Sequence, residues 1–336
     1  MPPLITFTAK GLYCDKAKIY IDPWKAVDKA LITHGHSDHA RRGHKAYLCH
    51  NDSVNILRHR LGKISVQGIA YGKTITINGV TISFHPAGHV IGSAQIKLRD
   101  NKESWVISGD YKLDNDRVAT PFEAVRCDHF VTESTFGLPV FRWKNQQDVY
   151  DEINQWWQEN SKENKPSMIC AYSLGKAQRV IKNIDNSIGP IVTHPSVESI
   201  NQLIRESGIE LPLTNAVGDL TNEDLSKAMF ICPPSAQSGK WLQGTKHISV
   251  AMASGWMAIR GTRRRRNLEK GFVLSDHADW TGLNQAVKAT GAEHIYVTHG
   301  YTDIYTKFLN GMGYKAKVVS TEYEGEALGS VSAGES

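Results

Sequence analysis

Three histidines and an aspartate fall within six positions of "LITHGHSDHA", where His34, His36, Asp38 and His39 follow directly on an apolar run. A strand ending here would present alternate residues to one side, and the turn after it would bring in the next two. Imidazoles with a carboxylate suit zinc. Hydrolytic two-ion sites hold their cations roughly 3.5–4 Å apart, to activate a water and stabilise an in-line displacement. Four residues cannot complete two coordination shells, so the chemistry requires further ligands elsewhere in the chain. His89 in "HPAGHVIGSA" and Asp110 in "VISGDY" supply them, each after a β-type segment, and the carboxylate could bridge two ions. Without a cation, four such side chains taken out of water would cost several kcal/mol. The other histidines carry no such pattern, and His44, His50, His59, His85, His129, His194, His247 and His294 are read as structural or surface residues.

The elements that must position these residues change character along the chain. Up to about residue 135 the pattern is mostly β: "KIYID" and "KALITH" read as short strands, and "TITINGVTISFH" places Asn78-Gly79 between two alternating segments, a strong hairpin signal. A second hairpin is expected from "AQIKLRD" and "SWVISGD" about Asn101-Lys102. From about residue 145 helices and strands alternate, beginning with "NQQDVYDEINQWWQEN", in which Trp156 and Trp157 fall on the packing face. Further helices are expected from Gly175, about Ser196, Trp280 and Tyr301, and the last residues, 326–336, read as a flexible tail. The expected fold is therefore α/β.

Bulk composition narrows the function classes. The chain has 336 residues, 40% hydrophobic and 22% charged, which excludes fibrous and disordered classes. It shows no apolar run of membrane-spanning length and no secretory signal, so a cytoplasmic location without membrane association is expected. Five scattered cysteines fit neither a disulfide framework nor a CxxC knuckle, and are expected to be buried thiols. Net charge is only +5, yet Arg260, Arg263, Arg264, Arg265 and Arg266 crowd "RGTRRRR", which points to a polyanion.

The order Asp22 ("YIDP"), "HGHSDH", His89 and Asp110 resembles four successive motifs of the metallo-β-lactamase fold, an αββα sandwich with a dinuclear metal site at one edge. Farther on, "VTESTFG" with Glu133, "LSDHADW" with His277 and "VTHGYT" with His299 resemble motifs A, B and C of its β-CASP nuclease branch. Over about residues 10–325 the chain is most similar to the bacterial DNA ligase-associated exonucleases of that branch, through "GLYC", "IDPW", "SGDYKL", "TESTFGLP", "LGKAQR", "PPSAQ", "ASGWM" and "SDHADW". The resemblance implies a metallo-β-lactamase domain in two parts, residues 1–144 and 267–325, around an inserted αβ β-CASP domain at 145–266 that clamps nucleic acid.

It also implies two Zn(2+) ions, with Mn(2+) as the alternative. One would lie on His34, His36, His89 and Asp110, the other on Asp38, His39, Asp110 and His299, with Asp22 fixing a ligating imidazole from behind. His277, oriented by Glu133, would be the general acid for the leaving oxygen, because a carboxylate partner favours the protonated ring. The implied reaction is phosphodiester hydrolysis in DNA, single-stranded or with a free end, leaving a 5′-phosphate. It would be an exonuclease activity in a repair setting, beside a DNA ligase and a helicase.

The inserted segment offers candidate nucleic-acid contacts. In "AYSLGKAQR" a strand leads through Gly175 into a helix, where free N–H groups with Ser173, Lys176 and Arg179 could seat a phosphate. Trp256, ahead of the arginine run, could stack on a base. RNA remains open as the substrate, because a histidine at motif C is commoner among RNA-processing members. A small-molecule hydrolase has no use for a long αβ insertion or an arginine run, and a non-catalytic paralogue would have no need of an intact ligand set.

Overall fold

The computed structural model describes residues 3–261 and 268–322. The described chain divides into two compact units. One holds residues 3–115, 119–142 and 277–322, the other residues 116–118 and 143–276 apart from the undescribed 262–267.

The first unit opens with β1 (Thr6–Thr8), β2 (Gly11–Cys14), β3 (Ile19–Ile21), β4 (Lys29–Leu31), β5 (Ala46–His50), helix α1 (Ser53–Leu61) and β6 (Val66–Ile69). These strands form one six-stranded sheet in chain order. Helix α1 stands in a stretch expected to be β. Its apolar residues Ile56, Leu57 and Leu61 are buried, but its mixture with Arg58, His59 and Arg60 leaves only a weak periodic signal.

The chain continues with β7 (Thr74–Ile77), β8 (Val80–Pro86), β9 (Ala94–Arg99), β10 (Ser104–Ile107) and β11 (His129–Ser134). Both expected hairpins form. Ile77 faces Val80 across Asn78-Gly79, whose φ angles of 51° and 76° are those of a type I′ turn, and Arg99 faces Ser104.

The second unit contains α2 (Gln146–Lys162), β12 (Ser167–Cys170), α3 (Lys176–Asn183), β13 (Ile191–Thr193), α4 (Pro195–Glu206), α5 (Asn222–Lys227), β14 (Met229–Cys232), β15 (Ser249–Ala253) and β16 (Lys270–Phe272). Its five-stranded sheet, in the order β13-β14-β12-β15-β16, is parallel throughout. Trp156 and Trp157 of α2 pack into its core beside Ile169, Ile231 and Phe272. Of the segment 267–276, expected with the first unit, the described residues 268–276 group here, because β16 pairs with β15 and places Phe272 and Leu274 in this core.

The chain then returns to the first unit through α6 (Trp280–Thr290), β17 (His294–Gly300), α7 (Thr302–Gly311) and β18 (Lys315–Val318). Strands β17 and β18 complete a seven-stranded sheet, ordered β18-β17-β11-β10-β9-β8-β7.

The first unit is layered by side-chain alternation. Leu12, Ile21 and Leu31 from one sheet meet Ile82, Phe84, Ile96, Trp105 and Ile107 from the other in one apolar core. Residues of opposite parity, Ala30, Tyr47 and Cys49, pack outward against Leu57 and Leu61 of α1. On the far side Val106, Phe130, Ile295 and Val297 pack against Leu283 and Val287 of α6 and Tyr305 and Leu309 of α7.

Strands β8, β10, β11 and β17 run in one direction, so the loops after them emerge at the same edge. All five cysteines are free and buried. No helix among the described residues is long and apolar enough to cross a membrane.

Candidate metal centre and general-acid pair

His34, His36, Asp38 and His39 lie on the turn that follows β4. This turn is fixed from three directions. Thr33 donates its N–H to Asp22 Oδ1 (2.8 Å) and its hydroxyl to Oδ2 (2.6 Å), and its carbonyl accepts the Ala94 N–H at 2.8 Å. Gly109, at φ 56°, packs directly on Thr33; a Cβ there would stand 2.7 Å from the threonine Cβ and Oγ1, so only glycine admits this approach.

His34, His36, His89 and Asp110 form one group whose ligand atoms all lie within 4.8 Å of one another, and Asp38, His39 and His299 form a second. Asp110 stands between them. Its Oδ2 is 3.6 Å from His34 Nε2, 3.5 Å from His39 Nε2 and 3.8 Å from His89 Nε2, while Oδ1 is 3.7 Å from His299 Nδ1. Asp22 Oδ2 also takes His39 Nδ1 at 2.8 Å, which leaves Nε2 of that ring facing Asp38 and Asp110. Asp22 thus lies behind the ligand-bearing turn. Two of these residues hold left-handed backbone, Asp22 at φ 42° and His299 at φ 53°. His299 sits where the β11–β17 register slips, with Ser134 donating its hydroxyl to the Thr298 and His299 carbonyls. Backbone strain of this kind costs of order 1–3 kcal/mol per residue and concentrates at functional sites.

Electrostatics divides the rings. Burial drives the His34 pKa well below its ordinary value, with the neighbouring His39 and His89 adding to the effect. Burial would do the same to His39, but Asp110 and Asp38 outweigh it and hold this ring's pKa well above the ordinary value. Asp110 is pushed upward by burial, yet His39 and His277 overcome that and keep its pKa well below the carboxylate range.

The donor set fits divalent cations. His39 Nε2 and Asp110 Oδ1 are both buried without a hydrogen-bond partner, as expected of atoms whose partner is a metal ion.

Beside this centre His277 Nδ1 meets Glu133 Oε2 at 2.8 Å, and Glu133 Oε1 accepts the Tyr111 N–H at 2.8 Å. Both side chains are buried. The His277 ring lies 4.7 Å from that of His89, and its cluster includes Asp110.

The expected contacts in the second unit stand differently. Arg179 is fully buried; its Nε and Nη2 donate to Asp116 Oδ2 at 3.0 and 2.7 Å, and Nη1 to the Ser275 carbonyl. Lys176 is also fully buried and pairs with Asp276 at 3.1 Å. At the start of α3 the Gly175 N–H goes to Gln178 Oε1 and the Ala177 N–H to the Tyr172 carbonyl, while Ser173 Oγ meets Ser196 Oγ at 2.9 Å. These groups are therefore internal structure rather than an open phosphate seat. Trp256, only 7% exposed, is packed and not presented for stacking. A strand-to-helix pattern in sequence cannot tell an inward-facing helix from an outward-facing one. Arg260 is exposed, while Arg263, Arg264, Arg265 and Arg266 and the expected 326–336 tail lie outside the described residues.

Sequence reasoning missed Thr33, Gly109 and the Tyr111 N–H. Each acts through backbone or packing, and only the "SGDY" glycine left any trace.

No family model matches the chain. A protein named "Probable DNA ligase" from Opitutus terrae is 27% identical over 317 residues, covering 93% of this chain and 31% of that protein. An "RNase J-like protein" from Methanocaldococcus jannaschii is 25% identical over 193 residues, 49% of this chain and 45% of that protein. "Endoribonuclease YSH1" from Gibberella zeae is 28% identical over 173 residues, 50% of this chain and 20% of that protein. The chain is a relative of the metallo-β-lactamase/β-CASP nucleases. It spans about a third of the Opitutus relative and less than half of these β-CASP nucleases. Among solved structures, a protein of unknown function from Enterococcus faecalis V583 superposes with a TM-score of 0.57 at 13% identity, covering 89% of this chain and 80% of that one.

Proposed function

We propose that the chain is a metal-dependent nuclease that hydrolyses phosphodiester bonds in DNA, acting as an exonuclease in repair. The observation that carries this reading is Asp110, a buried carboxylate whose Oδ2 lies within 3.8 Å of imidazoles from both groups and whose Oδ1 faces His299. His34, His36, His89 and Asp110 would hold one cation, and Asp38, His39, Asp110 and His299 the other, zinc or manganese by donor type. Such cations neutralise phosphate oxygens and make a water acidic enough to attack at neutral pH.

The protein's own residues account for the rest. Glu133 is held by the Tyr111 N–H and takes Nδ1 of His277, which leaves Nε2 to carry a proton toward the departing oxygen. Asp22 and Thr33 keep the ligand-bearing turn in place. The sheet–sheet core with α1 on one side and α6 and α7 on the other supports assigning the first unit to the αββα metallo-β-lactamase sandwich, and the parallel unit within it to the β-CASP insertion.

DNA is the preferred substrate because the relative matching 93% of this chain is named a probable DNA ligase. The endoribonuclease-named relatives, which match half the chain or less, favour RNA as the second reading. Labelled single-stranded DNA and RNA of one sequence, incubated after EDTA treatment and with zinc or manganese restored, test both. Cleavage should vanish with EDTA and return with metal, faster on DNA; cleavage indifferent to EDTA would refute the metal mechanism, and a strong RNA preference would reverse the substrate.

A further inference from the structure

One stretch of the first unit is strongly basic. Residues 40–63 contain six Lys and Arg (Arg41, Arg42, Lys45, Arg58, Arg60, Lys63) against a single carboxylate, Asp52, a local excess of five that equals the +5 of the complete chain. In sequence, residues 260–270 hold an equal excess, six Lys and Arg against Glu269. This stretch starts at the last residue of the ligand-bearing turn and ends just past α1.

It is tied to the centre by hydrogen bonds. Arg60 Nη1 donates to the carbonyl of Gly35, the peptide between His34 and His36, and Arg42 Nη2 donates to the Arg60 carbonyl at 3.2 Å. Arg42, Arg58 and Lys63 are exposed and form no ion pair among the described residues. Three basic residues in the last turn of α1 suit that helix's C-terminal dipole. The dipole does not explain Arg42, which precedes the helix, or Lys63, which lies beyond its Gly62 cap.

We infer that this basic edge is a surface that carries the phosphodiester backbone of the substrate strand to the centre. The inference rests on the nuclease reading for its substrate class. Lys176 and Arg179, buried against carboxylates, have no charge to spare for phosphate, whereas Arg42, Arg58 and Lys63 are exposed without an ion pair among the described residues, and Lys45 of this stretch is tied to a carboxylate outside it, Asp28. Arg60 serves as the link, a positioning residue whose guanidinium fixes the peptide between two ligands while its helix presents the neighbouring cations.

The test measures binding of fluorescent oligo-dT and oligo-rU by anisotropy in EDTA, where no strand is cut, across a series of salt concentrations. The full chain is compared with Arg42→Glu/Lys63→Glu, and with the same charge change at Lys288 and Lys307. The edge variant should bind at least ~10-fold more weakly, and the slope of log affinity against log salt should fall by about 0.7 for each phosphate no longer neutralised. The control pair should keep the wild-type slope.

Should the double reversal unfold, the neutral pair Arg42→Gln/Lys63→Gln carries the same expectation with a smaller drop. Unchanged affinity and slope in folded variants would overturn the surface while leaving the nuclease reading intact. A wild type that binds through this edge but never cleaves after metal is restored would keep the surface and refute the nuclease. Failure to bind either strand would refute both. A steeper slope with oligo-dT or with oligo-rU identifies which strand the edge fits.

Discussion

Two clusters of buried ionisable side chains, one in each unit, are built on opposite principles. In the second unit each buried cation has its own carboxylate: Arg179 with Asp116, Lys176 with Asp276. In the first unit five imidazoles, His34, His36, His39, His89 and His299, crowd around two carboxylates, Asp38 and Asp110, with no Lys or Arg among them. The first arrangement pairs its charges one to one. The second is a donor set that could hold cations from outside the chain. A buried charged cluster is therefore a site or a structural fixture according to whether its charges balance internally, and burial alone does not distinguish the two.

The comparison breaks most severely at Asp110. Asp110→Ala removes the carboxylate facing both groups, so cleavage should be abolished and metal analysis should find both positions depleted; two ions still bound per chain would show that the groups are independent. His277→Ala should lower turnover by ~10²–10⁴-fold with metal content retained, since general-acid loss has that size. Loss of metal in that variant would make His277 a ligand instead.

In the second unit Arg179→Ala leaves Asp116 buried without its counter-ion, a change that typically costs ~3–5 kcal/mol. It should appear as a lower melting temperature with metal content unaltered. If metal content fell with it, the two clusters could no longer be treated as separate kinds.

The smallest effect concerns acid. His44, His50, His85 and His129 in the first unit have pKa values lowered by burial, against His194 alone in the second. Rings with a depressed folded pKa contribute stability that is present above ~6.5 and lost as the pH falls through the folded value, because the unfolded chain takes up more protons. His34 acts in the same direction and His39 in the opposite one. Hydrogen exchange in EDTA should thus show the first unit loosening before the second as pH is lowered from neutrality toward 5. Uniform loosening would remove this difference between the units.

Much of the candidate cluster could be read in advance because metal chemistry restricts residue types so strongly. Few functions other than ligation place three histidines and an aspartate in six positions, and His89, Asp110 and His299 each close a strand-like segment. Both hairpins, the helix carrying Trp156 and Trp157, and the alternating rhythm of the second unit followed from periodicity. Helix α1 did not, because its short apolar stripe is interrupted by cations. Nor did the fate of Ser173, Lys176, Arg179 and Trp256, since a residue's chemistry is the same whether it faces solvent or a buried carboxylate.

The amino-acid sequence by itself determined the types of the candidate ligands, the strand-and-turn segments that bear them and the α/β class, because each depends on local chemistry and spacing. Only the tertiary structure decided that Asp110 stands between the imidazole groups, that Gly109 seats Thr33, and that Arg60 grips the peptide between His34 and His36. It also decided which cations are neutralised inside. Those facts depend on which strands become neighbours, and pairing across long separations in the chain follows from burying one shared core rather than from any local pattern.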